Sequence, residues 1–195
     1  MPRKPRVDYP GAWHHVFNRG IGHGVIFETD HSRAFFLRCL DDACMISGVE
    51  VHAYCLMGNH FHLLLHSRTG RLGVAMQSLS RHYTQGTNQH LGRDGPLFRG
   101  RFQSVPVVTD AQLLSVSRYI HRNPVQAGLA AQAADWPWSS AQAYLGGPKP
   151  QWLHMATTLA LFDGPRAARD QYREFLQDGE HEVGSDPLSM GSDPT

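Results

Sequence analysis

Two histidines one residue apart, His60 and His62, and a tyrosine followed four residues later by an asparagine, Tyr119 and Asn123, are spaced for chemistry. In a strand the side-chain period is two, so His60, His62, Leu64 and His66 share one face while Phe61, Leu63 and Leu65 take the other. The apolar set can bury against helices and leave the imidazoles together on the outer side. Two imidazoles side by side can each offer one ring nitrogen to a single cation, once a third ligand arrives from elsewhere. The plain alternative is a half-buried strand with histidines at a wet surface. On a helix, Tyr119 and Asn123 lie one turn apart at the flank of the inward stripe. A third set, Arg99, Arg101 and Gln103, shares one face of a stretch, Leu97 to Val105, that reads as a strand. Arginines beside Phe98 and Phe102 suit a nucleic-acid groove; an exposed edge strand guarded by charge looks the same.

Those residues need elements to hold them. Ala12 to Phe17 reads as a first strand by its aromatic and β-branched content, ended by Asn18-Arg19-Gly20. Asp30 caps a helix with Phe36, Leu37, Leu40, Ala43 and Cys44 on one side, which stops before Gly48. Val49, Val51, Ala53, Cys55 and Met57 alternate with Glu50, His52, Tyr54 and Leu56, and Gly58-Asn59 then turns a two-residue hairpin into the histidine strand. From Arg71 to His90 a second amphipathic helix carries Leu72, Met76, Leu79 and Tyr83 inward, which makes Tyr83 a core residue. Asp110 caps a third helix, with Leu113, Val116, Ser117 and Ile120 inward, that ends near Asn123 because Pro124 biases its predecessor away from helical dihedrals. The order is strand, helix, strand, strand, helix, strand, helix. It predicts an α+β fold, a ferredoxin-like or RRM-like antiparallel sheet with helices on one face and added C-terminal helices.

The basic charge is uneven. Through Phe162 there are 15 Lys+Arg against 9 Asp+Glu, an excess of +6; from Asp163 onward 3 stand against 8, or −5. The only lysines are Lys4 and Lys149. Arginine offers a planar fork suited to phosphate and to guanine edges, so the bias leans toward nucleic acid. Cys39, Cys44 and Cys55 are an odd number without a Cys-x-x-Cys pair and read as reduced thiols of a cytoplasmic protein. No apolar run reaches membrane-spanning length. Residues 1–10 read as a basic, proline-broken arm, and Gly146-Gly147-Pro148-Lys149-Pro150 as a linker. Beyond it, Trp152 to Phe162 and Arg166 to Leu176 look helical, and 178–195 reads as an acidic disordered tail. The chain thus divides into 1–147, a helical extension 148–177 and the tail. Trp136-Pro137-Trp138 either caps the core, the usual fate of large aromatics, or stacks a base.

Taken together, these stretches resemble a known family. His60-Phe61-His62 with a single helical tyrosine looks like the HUH single-tyrosine nucleases. The run Tyr119-Ile-His-Arg-Asn-Pro-Val-Gln-Ala-Gly-Leu129 is similar to the REP-associated tyrosine transposases. Met57-Gly-Asn-His-Phe-His-Leu-Leu-Leu65, Trp136-Pro-Trp-Ser-Ser140 and His15-Val-Phe-Asn-Arg-Gly20 match further blocks of that family, so the resemblance spans roughly residues 1–147. It implies a nucleophile at Tyr119 and a divalent cation, Mg²⁺ or Mn²⁺, held by His60, His62 and Asn123. The substrate implied is single-stranded or hairpin DNA, contacted by Asn18, Arg19, Arg99, Arg101, Gln103 and Arg122. Gly58 departs from the proline that the family commonly has there, and Asn123 is shorter than the glutamine of more distant relatives.

The chemistry is coherent on its own terms. Two imidazoles and an amide are neutral, so a bound cation keeps its double charge and polarises a phosphodiester oxygen. A phenol, with a pKa of about 10, needs such a cation or Arg122 nearby to ionise. Its attack on phosphorus leaves a covalent phosphotyrosine that can be rejoined without ATP. Competing readings are a non-catalytic RNA- or DNA-binding sheet, and a hydrolase using His60, His62 and a carboxylate, although no carboxylate stands near either histidine in sequence. The expected setting is cytoplasmic and nucleoid-associated, away from membranes, as a monomer or a homodimer.

Overall fold

The histidine strand lies inside a four-stranded antiparallel sheet of order β2-β3-β1-β4, in which β1 is Ala12–Arg19, β2 Val49–Leu56, β3 His60–Ser67 and β4 Gln103–Val107. The computed structural model describes residues 7–164 and 167–177. Most of the expected basic arm, Arg166 and the acidic tail lie outside the described residues. Three long helices complete the expected order: α1, Asp30–Ser47; α2, Leu72–Leu91; and α3, Asp110–Gln126. The fold is α+β, as expected from the element order.

The helices are not confined to one face as expected: α1 and α2 cover one face of the sheet and α3 covers the other. Phe61, Leu63 and Leu65 of β3 face the larger core with Val16, Phe36, Leu40, Met76, Leu79 and Tyr83, from β1, α1 and α2. Burying each such side chain contributes about 1.5–3 kcal/mol. Leu64 faces the opposite way, into a smaller core with Ala53, Cys55, Leu113 and Ile120 beneath α3. Phe98 and Phe102 are buried in the larger core and so offer no ring to a nucleic-acid base.

Strand β2 departs from the simple alternation. Val51 pairs with Leu65 but Ala53 pairs with Leu64, so His52 is an extra residue in a β-bulge. The bulge reverses parity: Val49, Val51, Tyr54 and Leu56 join the larger core, while Ala53, Cys55 and Met57 join the smaller. The turn into β3 is the expected two-residue hairpin, with the Met57 amide donating to His60 O at 2.9 Å. Gly58 needs no left-handed backbone there, since it is absent from the positive-φ glycines, and an added Cβ would meet nothing within 4 Å.

Threonines, not the following aspartates, cap two helices. Thr29 and Thr109 accept from the third-residue amides, Ser32 N and Gln112 N, each at 3.2 Å. Asp30 and Asp110 sit in the first turn, where a carboxylate favours the positive helix end. Helix α3 continues through Pro124 to Gln126, one turn beyond the expected end. Pro124 cannot donate to Ile120 O, and the helix runs only two residues past it before Gly128 closes it with φ +68°.

The C-terminal part is more broken than expected. In place of a helix over 152–162 there is one four-residue turn, Ala156–Leu159 (α5), preceded by another, Ala141–Tyr144 (α4), and followed by α6, Ala168–Gln177. These segments shield the outer edge of β2: Trp138 O accepts from Leu56 N at 2.9 Å, and His154 N donates to Val51 O at 2.8 Å. Trp136 and Trp138 are half-buried, their indole N–H groups donating to Leu56 O and to Asp30 Oδ1, which favours packing over base stacking.

Candidate active site

The site grows from the two central strands. On β1, Phe17 pairs with His62 and Arg19 with His60, so the first two residues of the outer β3 face meet the end of β1. Neighbouring loops brace that end. Gly20 N donates to Asn59 O at 2.9 Å, and a Cβ on Gly20 would stand 2.0 Å from Gly24 O, so only glycine allows this approach. Asn59 in turn reaches His60, its Oδ1 lying 2.7 Å from His60 Nδ1.

Helix α3 crosses over the histidines and brings the expected helical pair to them. The Tyr119 ring meets His62 edge-on, centroids 5.2 Å apart at 89°, and Asn123 Oδ1 lies 3.2 Å from His60 Nε2. His60, His62, Tyr119 and Asn123 therefore form one cluster. His62 is on the outer β3 face as expected, yet not at the wet surface of the plain alternative; it is wholly buried under α3. Burial foremost, then the nearby His15 and His60, hold its pKa well below the usual 6.5, so its ring is neutral.

A residue not singled out from the sequence completes the cluster. His15 on β1 approaches His62, its Nε2 3.0 Å from His62 Nδ1, and its ring also meets Tyr119 edge-on at 5.6 Å. The block His15 to Gly20 had drawn attention to Asn18 and Arg19, but strand parity also places His15 on the face of Phe17. That was the available signal.

Hydrogen-bond accounting tests whether a cation suits this donor set. Asn59 Oδ1 is an acceptor, so His60 Nδ1 carries the proton and Nε2 turns its lone pair toward Asn123 Oδ1. Two facing acceptors are relieved either by turning the amide or by a cation. In an octahedral shell, adjacent ligand atoms stand about 3 Å apart, close to the spacing seen. His62 Nε2 is buried without a hydrogen-bond partner. The residues present fit a divalent ion bound through two imidazole nitrogens and an amide oxygen. A second group able to hold a metal, Glu50, His52 and His66, lies farther along the sheet.

The expected DNA-contacting residues divide. Arg99 and Arg101 are exposed, but on a loop rather than a strand, because β4 begins only at Gln103. That loop is tied to the histidine end of the sheet: Arg99 N donates to Arg19 O at 2.9 Å, and Arg19 pairs with His60. Gln103 is exposed and pairs with Phe17. Asn18 is instead a buried brace, its Nδ2 donating to Gly100 O at 3.0 Å and its Oδ1 accepting from Arg19 N. Arg122 points to α6, donating to the carbonyls of Leu176 and Gln177, so the charge expected beside the phenol is engaged elsewhere. Tyr83 is wholly buried in the larger core and donates to Ile26 O at 2.6 Å.

Residues 13–123 match the protein family described as "Transposase IS200 like". The solved structure of a REP-associated tyrosine transposase bound to a REP hairpin aligns with a TM-score of 0.63 at 16% identity, covering 79% of this chain and 92% of that one. At that identity the likeness is one of fold. A crystal structure of a candidate transposase from Deinococcus radiodurans R1 aligns with a TM-score of 0.42 at 18% identity, over 63% of this chain and 97% of that one. No curated protein matches the sequence. Among the described residues no helix is long and apolar enough to cross a membrane.

Proposed function

The chain belongs to the IS200-like transposase family, and from that premise we propose that it cleaves and rejoins single-stranded DNA at hairpin sequences through a bond to Tyr119. His60, His62 and Asn123 hold Mg²⁺ or Mn²⁺ in this reading. The observation that carries it is the convergence of α3 on the strand pair: Asn123 Oδ1 lies 3.2 Å from His60 Nε2 while Tyr119, one turn earlier, packs on His62. The relative solved with a REP hairpin supports hairpin DNA as the partner.

The steps follow from these side chains. Arg19, Arg99 and Arg101, near the histidine end, hold the DNA backbone by charge, and Gln103 contributes amide hydrogen bonds. The Tyr119 hydroxyl loses its proton and its oxygen attacks phosphorus; a P–O bond forms as the bond to one sugar oxygen breaks, and that oxygen takes up a proton. A cation among neutral ligands supplies charge to the phosphodiester oxygens. Because the phosphotyrosine conserves the bond energy, a DNA hydroxyl can attack it and restore the strand without ATP. The setting this reading implies is the cytoplasm, in association with the nucleoid.

The decisive experiment incubates a labelled single-stranded hairpin library with the protein and Mg²⁺ or Mn²⁺, and looks for covalent adducts on a denaturing gel. The adduct should map by mass spectrometry to Tyr119 and vanish in Tyr119→Phe with hairpin binding retained. An adduct on Tyr83, or cleavage that survives Tyr119→Phe, would sink the assignment.

A further inference from the structure

The far end of the histidine strand carries a second set of ligand atoms. His66 is on the same β3 face as His62 but four residues on, roughly 13 Å along the strand. Its register partner on β2 is Glu50, and the bulge at His52 brings a second imidazole to the same carboxylate. Glu50 Oε2 lies 3.0 Å from His66 Nδ1 and 3.5 Å from His52 Nε2. All three ligand atoms lie within 4.8 Å of one another. Four-coordinate zinc, with bonds of about 2.0–2.1 Å to nitrogen and oxygen, sets neighbouring ligand atoms about 3.4 Å apart. The carboxylate already stands at nearly that spacing from both imidazoles.

Two further observations point to a ligand. His52 is 2% exposed, with its Nε2 facing only Glu50 Oε2 at 3.5 Å and its Nδ1 without a partner. A deeply buried imidazole so weakly held costs stability unless something further engages it. The rings are also held in place: Trp13 stacks on His66 with centroids 4.5 Å apart at 17°, and meets His52 at 4.3 Å. Arg68 holds the other carboxylate oxygen, Oε1, at 3.3 Å and leaves Oε2 to the histidines. A further imidazole stands nearby in the C-terminal extension. His154 lies with its ring centroid 5.7 Å from that of His52, and its backbone amide is pinned to Val51 O.

We propose that Glu50, His52 and His66 bind a zinc-class divalent cation, with His154 closing the fourth position and thereby clasping the segment after the 146–150 linker to the edge of β2. Borderline ions of this class suit two or three imidazoles and one carboxylate. The site shares no residue with the His60 and His62 cluster, so it stands or falls separately from the nuclease reading.

The test uses the full chain carrying His60→Ala and His62→Ala, stripped of metal by a chelator. Titrated with Co²⁺, it should take up one ion per chain with the visible bands of four-coordinate cobalt, and Zn²⁺ should displace it. Glu50→Gln and His66→Gln, made separately and checked for native circular dichroism, should each weaken binding more than about 100-fold. His154→Ala should weaken it about 10-fold and abolish zinc protection of the linker against proteolysis. Absence of stoichiometric uptake in the His60/His62 double variant would overturn the proposal, as would unchanged affinity in whichever of the Glu50 and His66 variants folds. Unchanged linker protection in His154→Ala would overturn the clasp.

Discussion

His15 Nε2 stands 3.0 Å from His62 Nδ1, a contact from one central strand to the next that leaves Nε2 as the nitrogen of His62 without a partner. With the His62 Nδ1 proton donated to His15, Nε2 presents a lone pair toward a cation. Second partners of this kind fix the tautomer and the ring of a metal-binding histidine. His15→Ala should therefore raise the Mn²⁺ concentration needed for half-maximal cleavage about 10–100-fold, with the rate recovered at saturating Mn²⁺. His15→Gln, which keeps an acceptor, should rescue part of the loss. A rate that falls without any change in metal requirement would assign His15 to packing alone.

Acid should destabilise the fold through its buried histidines. Burial lowers the pKa of His14, His52, His62 and His121 from 6.5, with His52 at about 4 and His121 at about 3. Below pH 6.5 the unfolded chain takes up protons that these folded imidazoles refuse, so stability is full above that pH and declines as pH falls toward the folded values. His121, wholly buried between Tyr172 Oη and Ser140 Oγ, should alone contribute a loss of about 2 kcal/mol between pH 7 and 5. Urea unfolding at both pH values checks this: the drop should be smaller in His121→Gln, and an equal drop would remove His121 from the account.

The arginines that flank the histidine end should hold DNA by charge and not by sequence. Arg99→Ala and Arg101→Ala should each weaken binding to hairpins of any sequence and reduce the slope of log affinity against log salt by about 1. Fluorescence anisotropy from low to moderate salt reads both quantities. Unchanged slopes would make this loop a guard for the sheet edge.

Much of this was legible because period two on β3 and the one-turn spacing of Tyr119 and Asn123 are local properties, and the fold brings the two together. The bulge at His52 was not legible. Both faces of β2 are buried, so the residues around His52 lack the apolar-polar contrast that specifies register. Phe98 to Phe102 alternates like a strand, yet its geometry is set by distant contacts: Asn18 takes Gly100 O and Phe98 bridges Gly20. The destination of Arg122 was equally hidden, since it depends on α6 folding back along α3, some fifty residues later in the chain.

The last prediction concerns the charge of the donor set. Asn123 is neutral, and its amide oxygen faces His60 Nε2 from the final turns of α3, so its substitution alters the ligand without touching the strand. Asn123→Ala should remove one ligand, raise the Mn²⁺ requirement and lower cleavage, with hairpin affinity measured without metal unchanged. Asn123→Asp keeps a short oxygen ligand but adds a negative charge, which strengthens metal binding and reduces the positive charge left for the phosphodiester. It should bind Mn²⁺ more tightly than the parent by calorimetry and cleave more slowly at saturating Mn²⁺. If Asn123→Asp and Asn123→Ala both keep the parent's metal affinity and rate, Asn123 is not a ligand, and the cation is held by His60 and His62 with some other group.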